Sequence, residues 1–206
     1  MRTFRNGLLT GLVLQMAIGP VFFFIVNIAL QKTLYDGFAA VSAVTIVDYI
    51  YITLAILGVG KLLEKKKVKK AFGIISLIIL IVIGIIILKS IPTEIKTLEI
   101  TSNSNLLKSF SSVFFLTITN PMTIVFFTGV FSAKAIEYNY TKHQLRIFGL
   151  SVGLATLLFM GSSVILFTLL KKTVPILLIQ ALNVIVGSLL ILYGITRLKP
   201  VLKNSA

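Results

Sequence analysis

Residues 74–88 comprise thirteen Ile, Leu and Val, one Ser and one Gly, with nothing that ionises. A helix of this composition is apolar on every side, so it needs a core larger than this chain can build, or lipid. Five further stretches share the character: 6–31, 37–60, 109–133, 147–170 and 173–196, with the run itself extending over 71–88. A bilayer core about 30 Å thick takes roughly 20 helical residues to cross, and all six fit. Together they hold 141 of 206 residues, which leaves little for a domain outside the membrane. Membrane barrels need apolar and polar residues alternating along short strands, and 74–88 has no such alternation. The net charge of +14 in a soluble chain would suggest nucleic-acid binding. Here the Lys and Arg residues are confined between the stretches and cannot form one basic face, so nucleic acid is not an expected partner. The fold class expected is all-α, polytopic, with six transmembrane helices.

Orientation follows the Lys/Arg bias of short loops. With six spans, the N-terminus, residues 61–70, residues 134–146 and the C-terminus share one side and carry 14 Lys plus Arg, against 6 opposite. Both termini are therefore expected in the cytoplasm, with KLLEKKKVKK at 61–70 as the main anchor. The same run could hold anionic lipid. Arg2 and Arg5 before the first span resemble a signal-peptide start, but the apolar part is long and no good cleavage site follows, so it reads as an uncleaved helix. Cysteine is absent, which excludes disulfides and thiolate metal sites. The single histidine, His143, falls in a polar connector.

The chain also resembles itself. AFGIISLIILIVIGIIILK (71–89) aligns without gaps on ALNVIVGSLLILYGITRLK (181–199), with eight of nineteen positions identical, among them Gly84/Gly194 and Lys89/Lys199. IGPVFFFIV (18–26) parallels TNPMTIVFF (119–127), which sets Gly19-Pro20 over Asn120-Pro121. Two halves of three helices must be inverted relative to one another, because three is odd. The expected organisation is one transporter domain, with repeat one at 1–90, a connector at 91–108 and repeat two at 109–206. Proline removes a backbone donor and clashes with the carbonyl four residues earlier. In lipid the freed groups must be met by protein or water, so matched breaks point to a central site. The alternative is that each proline only kinks its helix.

Asp48 is the only Asp, Glu, Lys, Arg or His inside any of the six stretches. A carboxylate there costs about 2.5–3.5 kcal/mol on insertion scales, so it is expected to face a cavity. Thr45 and Tyr51 stand three residues to either side, on the same helical face. Gln15 precedes the first break, Asn27 follows it by two turns, and Asn120 directly precedes Pro121. Their amides can donate and accept, or serve as glue between helices, as Asn183 is expected to do. Substrate or proton binding is thus expected from Asp48, Thr45, Tyr51, Gly19, Pro20, Asn120, Pro121, Gln15 and Asn27. No phosphate loop, nucleotide fingerprint or hydrolase triad is present, so no cofactor is expected and the chain does not read as an enzyme.

GLVLQMAIGPVFFFIVNIALQKTLYDGF (11–38), VDYIYITLAILGVG (47–60) and FFLTITNPMTIVFFTGVF (114–131) resemble the lysine exporter (LysE/RhtB) family of bacterial amino-acid exporters. The resemblance covers nearly the whole length, with Met122 in place of the lysine that usually follows Asn-Pro. It implies a small secondary carrier that exports amino acids or similar solutes against proton entry. Expected partners are the solute, protons and anionic lipid at 61–70, with a second copy of the chain as an open alternative. Two other readings stay open. One is a divalent-cation exporter of the same superfamily, for which ligands are few. The other is a non-transporting subunit that docks partners through 61–70.

Overall fold

The computed structural model describes residues 1–16, 18–58, 66–89, 105–171 and 173–203, which form eight helices. In order they are α1 (Arg2–Gln15), α2 (Pro20–Gln31), α3 (Leu34–Ile56), α4 (Lys66–Lys89), α5 (Leu106–Ile118), α6 (Pro121–Tyr138), α7 (Lys142–Leu170) and α8 (Ile176–Lys203). Three helical stretches are long and apolar enough to cross a membrane: Leu34–Ile56, Lys142–Leu170 and Leu177–Thr196. A fourth arises if α1 and α2, bent by 81° at their break, make one span. Leu77–Lys89 and α5 are apolar but shorter. Among the described residues the chain is all-helical, and its long apolar helices are those of a membrane protein. The two stretches expected as single spans at 6–31 and 109–133 are each divided, because each contains a proline at its centre. Residues 61–65 and 91–104 lie outside the described residues, and only the helical backbone of 66–70 is described.

Local chemistry sets the boundaries. Thr33 and Asp36 form a reciprocal capping box at the start of α3, and Thr141 with Gln144 does the same for α7. The connectors expected at 32–36 and 134–146 shrink accordingly, since α3 begins at Leu34 and α6 and α7 take up most of the second. His143 falls in the first turn of α7 rather than in a connector. Asn139, with φ of 49°, reverses the chain between α6 and α7.

Lipid-like surface and interior divide as a membrane helix requires. Ile46 and Ile50 on α3, and Leu150, Leu157, Leu158 and Ile165 on α7, are exposed. Small and polar residues face inward, where backbones can approach closely. Gly7 and Gly11 of α1 lie against Phe148, Ser151 and Ala155 of α7, and a Cβ on Gly11 would stand 2.6 Å from that of Ala155. A Cβ on Gly84 of α4 would stand 2.8 Å from the Gly187 carbonyl of α8, and one on Gly194 would stand 3.3 Å from Leu77. Adding 110 to 84 and 77 gives 194 and 187, so these are equivalent contacts made from opposite halves.

Helix neighbours follow the same exchange. α1 packs along α7 and α5 along α3; α2 meets α7 and α8, while α6 meets α3 and α4; α3 pairs with α7 and α4 with α8. Two buried apolar clusters result. One holds Ile25, Val44, Val113, Met160, Val164 and Leu190, and the other holds Val47, Ile52, Phe127, Phe131, Phe148 and Val152.

Candidate functional site

A cavity of about 260 Å³ lies where the two clusters meet, with Val44 and Met160 of the first and Phe127 and Val152 of the second in its wall. The chain breaks bring it their loosened backbone. Gly19 is extended (φ −124°, ψ −177°) and caps α2, whose first residue is Pro20. Proline is suited to that position, because the first N–H of a helix has no intrahelical acceptor. The carbonyl four residues before Pro20, that of Met16, accepts from Ile18 N–H at 2.8 Å. At the second break the equivalent carbonyl, Thr117, accepts from Asn120 N–H at 3.1 Å. The next carbonyl along, Ile118, accepts from the Tyr51 hydroxyl. The freed carbonyls at each break are thus met by a tightened turn, and at the second also by a side chain from another helix.

Asp48, from the middle of α3, is 5% exposed and lines the cavity. Its Oδ2 accepts from Thr156 Oγ1 at 2.8 Å, and Thr156 Oγ1 accepts from Gln15 Nε2 at 2.6 Å. One hydroxyl on α7 therefore joins the carboxylate of α3 to the amide of α1. Close approach of α1 and α7 through Gly7 and Gly11 makes this short chain possible, since Ala155 and Thr156 are adjacent. Thr156 is fully buried, so its only proton is committed to the carboxylate.

Of the nine residues expected at a site, Gln15, Gly19, Pro20, Asp48 and Asn120 line the cavity together. Pro121 starts α6 at the second break. Three others are buried but engaged elsewhere. Thr45 donates to the Val41 carbonyl one turn back at 2.8 Å, Tyr51 holds Ile118, and Asn27 donates to Asn183 Oδ1. Asn183 also accepts from Gln31 Nε2 at 2.7 Å, which makes a three-amide clasp between α2 and α8. Sequence reasoning did not single out Thr156, Thr117 or Thr123, all of which touch the site. The signal for Thr156 was indirect: Gly7 and Gly11 need a facing row of small residues, and Ser151 and Ala155 supply it, the latter one position before Thr156.

A second polar cluster lies at the end where α2 stops and α3 and α5 begin. Asp36 is fully buried; it accepts from Ser109 Oγ at 2.8 Å and from Thr33 Oγ1 at 2.6 Å. Lys32 Nζ donates to Ser109 Oγ at 2.9 Å, and Lys171 Nζ donates to the Lys32 carbonyl at 3.0 Å. Burial holds the Lys32 ammonium below its usual value of 10.5, with Asp36 opposing that shift and Lys108 adding to it. Among the described residues no three His, Cys, Asp or Glu side chains gather as a metal site.

Residues 12–198 match the family model for the LysE type translocator. The chain is 25% identical over 203 residues to the Putative amino acid efflux protein YcgF of Bacillus subtilis (strain 168), which covers 94% of each chain. No solved structure matches it. The matched region takes in both helix breaks, Asp48, Thr156 and the whole cavity wall, and the chain belongs to the LysE type translocator family.

Proposed function

We propose that the chain is a secondary carrier of the cytoplasmic membrane that exports amino acids or similar small solutes in exchange for protons. The observation that carries this reading is the cavity wall itself, where Asp48, Gln15 and both helix breaks converge. A carboxylate sheltered in such a place can hold a substrate ammonium or a proton, and competition between the two gives exchange. Helices α2 and α6 both begin at the cavity, and their N-terminal ends carry partial positive charge that suits a substrate carboxylate. The family supports transport of a small solute, and the relative's printed name supports an amino acid as that solute.

The architecture that goes with this reading is six spans in two inverted repeats, 1–90 and 109–206. In it α1 with α2, and α5 with α6, would each act as one broken span. The exchange of helix neighbours between the halves supports it, as does the equivalence of the Gly84–Gly187 and Gly194–Leu77 contacts. The Lys/Arg count supports cytoplasmic termini.

The test is pH-gradient-driven efflux from proteoliposomes for Asp48→Asn against wild type at equal protein. Asn keeps the shape and hydrogen-bonding capacity but cannot release a proton. Loss of gradient-driven efflux in a folded, inserted variant is the expected result. Unchanged efflux across a range of pH would remove Asp48 from the mechanism.

A further inference from the structure

The cavity wall bears on which solute the carrier takes. Around Asp48 it presents Leu14, Ile18, Phe22, Phe126, Phe127 and Met160, among other apolar side chains. Gln15, Thr117, Asn120 and Thr123 are its remaining polar side chains. Among the described residues, Asp48 is the only ionisable one in the lining: no Lys, Arg, His or Glu joins it there. Any amino acid carries one ammonium, and a basic one carries a second cation. Whichever of the two Asp48 holds, the other would find no anion to pair among the described wall residues. A buried unpaired charge is among the most costly things a site can hold. An acidic side chain meets the converse problem, because the described wall residues include no cation. An aliphatic or aromatic side chain has neither difficulty and gains from leaving water.

We propose that the transported class is amino acids with uncharged apolar side chains, of the size of leucine, methionine and phenylalanine. The ammonium lies at Asp48, the carboxylate lies toward the start of α2, and the side chain packs on Phe22, Phe126, Phe127 and Met160. The proposal rests on the exporter reading above. It adds that the phenylalanine-rich wall, rather than the carboxylate, selects among amino acids.

Substrate counterflow tests it in proteoliposomes that hold wild-type protein and unlabelled leucine inside, with labelled leucine outside. Leucine is expected to accumulate transiently, with methionine and phenylalanine competing. Lysine, arginine, glutamate and threonine should compete at least about tenfold less well. Lysine, arginine, glutamate or threonine competing as well as leucine would overturn the class and leave the exporter standing. Absence of counterflow for every amino acid, from folded protein, would overturn both. Thr123→Asp provides a separate check. Position 123 is in the first turn of α6, where an acidic residue is tolerated, and it lines the cavity. Competition by lysine relative to that by leucine should rise in that variant, whatever the change in its overall rate. A variant that exchanges leucine but still ignores lysine would show that missing charge partners are not what excludes basic substrates.

Discussion

Thr156 Oγ1 donates to Asp48 Oδ2 at 2.8 Å across the α7–α3 interface, and the same oxygen accepts from Gln15 at 2.6 Å. One hydroxyl thus ties the carboxylate of α3 to both α7 and α1.

Thr156→Val keeps the shape and removes both hydrogen bonds, leaving the buried Asp48 carboxylate and the half-buried Gln15 amide without that partner. The penalty for the buried carboxylate is about 1–3 kcal/mol. Transport should fall sharply, and the pH at which efflux is half-maximal should move, because the carboxylate loses a donor that favours its charged form. Thr156→Ser should restore both. A Val variant with an unchanged pH profile would mean that the threonine only fills space.

Ser109 bridges Lys32 and Asp36, joining the end of α2 and the start of α3 to α5. Ser109→Ala should lower the unfolding free energy in detergent by about 1–3 kcal/mol, since fully buried Asp36 loses a donor. A change below about 0.5 kcal/mol would show that Thr33 alone suffices.

Lys32 gives the same end of the molecule a pH dependence. Its folded-state value lies below the ordinary 10.5, chiefly through burial, so the unfolded chain binds its proton more tightly. Between those two values the unfolded state carries more protons, and stability contributed by this group rises with pH. Lys32→Met removes that contribution. The stability of wild type relative to Lys32→Met should therefore increase as pH climbs toward 10.5. A flat difference in thermal midpoints would contradict it.

Gly11 and Gly19 should behave oppositely. A Cβ on Gly11 would meet the Ala155 Cβ at 2.6 Å, whereas one on Gly19 would meet nothing within 4 Å. Gly11→Val should cost about 1–3 kcal/mol by forcing α1 from α7. Gly19→Ala should leave the thermal midpoint nearly unchanged, since φ of −124° suits any residue. Equal midpoints for both variants would refute the tight α1–α7 contact.

Orientation can be checked because the chain has no cysteine. Lys66→Cys should resist an impermeant thiol reagent in intact cells and react after permeabilisation. Labelling in intact cells would place residues 61–70 outside and reverse the proposed topology.

Much of this molecule was legible in its sequence, because the relevant properties are local. Hydropathy follows from side chains alone, so the apolar stretches could be found without coordinates. Proline's missing donor is covalent, so the breaks at Pro20 and Pro121 were located to the residue. A lone carboxylate among apolar residues is costly wherever it lies, which singled out Asp48. Tertiary structure decided which polar groups it would meet. Thr45, three residues away on the same face, turns back to its own helix at Val41, an alternative always open to threonine. Thr156, 108 residues away, takes the place at the carboxylate instead. Asp36 looked like a connector residue and became fully buried, because Ser109 arrives on α5 from the other half of the chain. Asn27 looked as eligible for the site as Gln15, but Asn183 and Gln31 draw it into a clasp with α8. A hydrogen-bonding side chain chooses among partners, and those partners are set by helix packing that no single segment encodes.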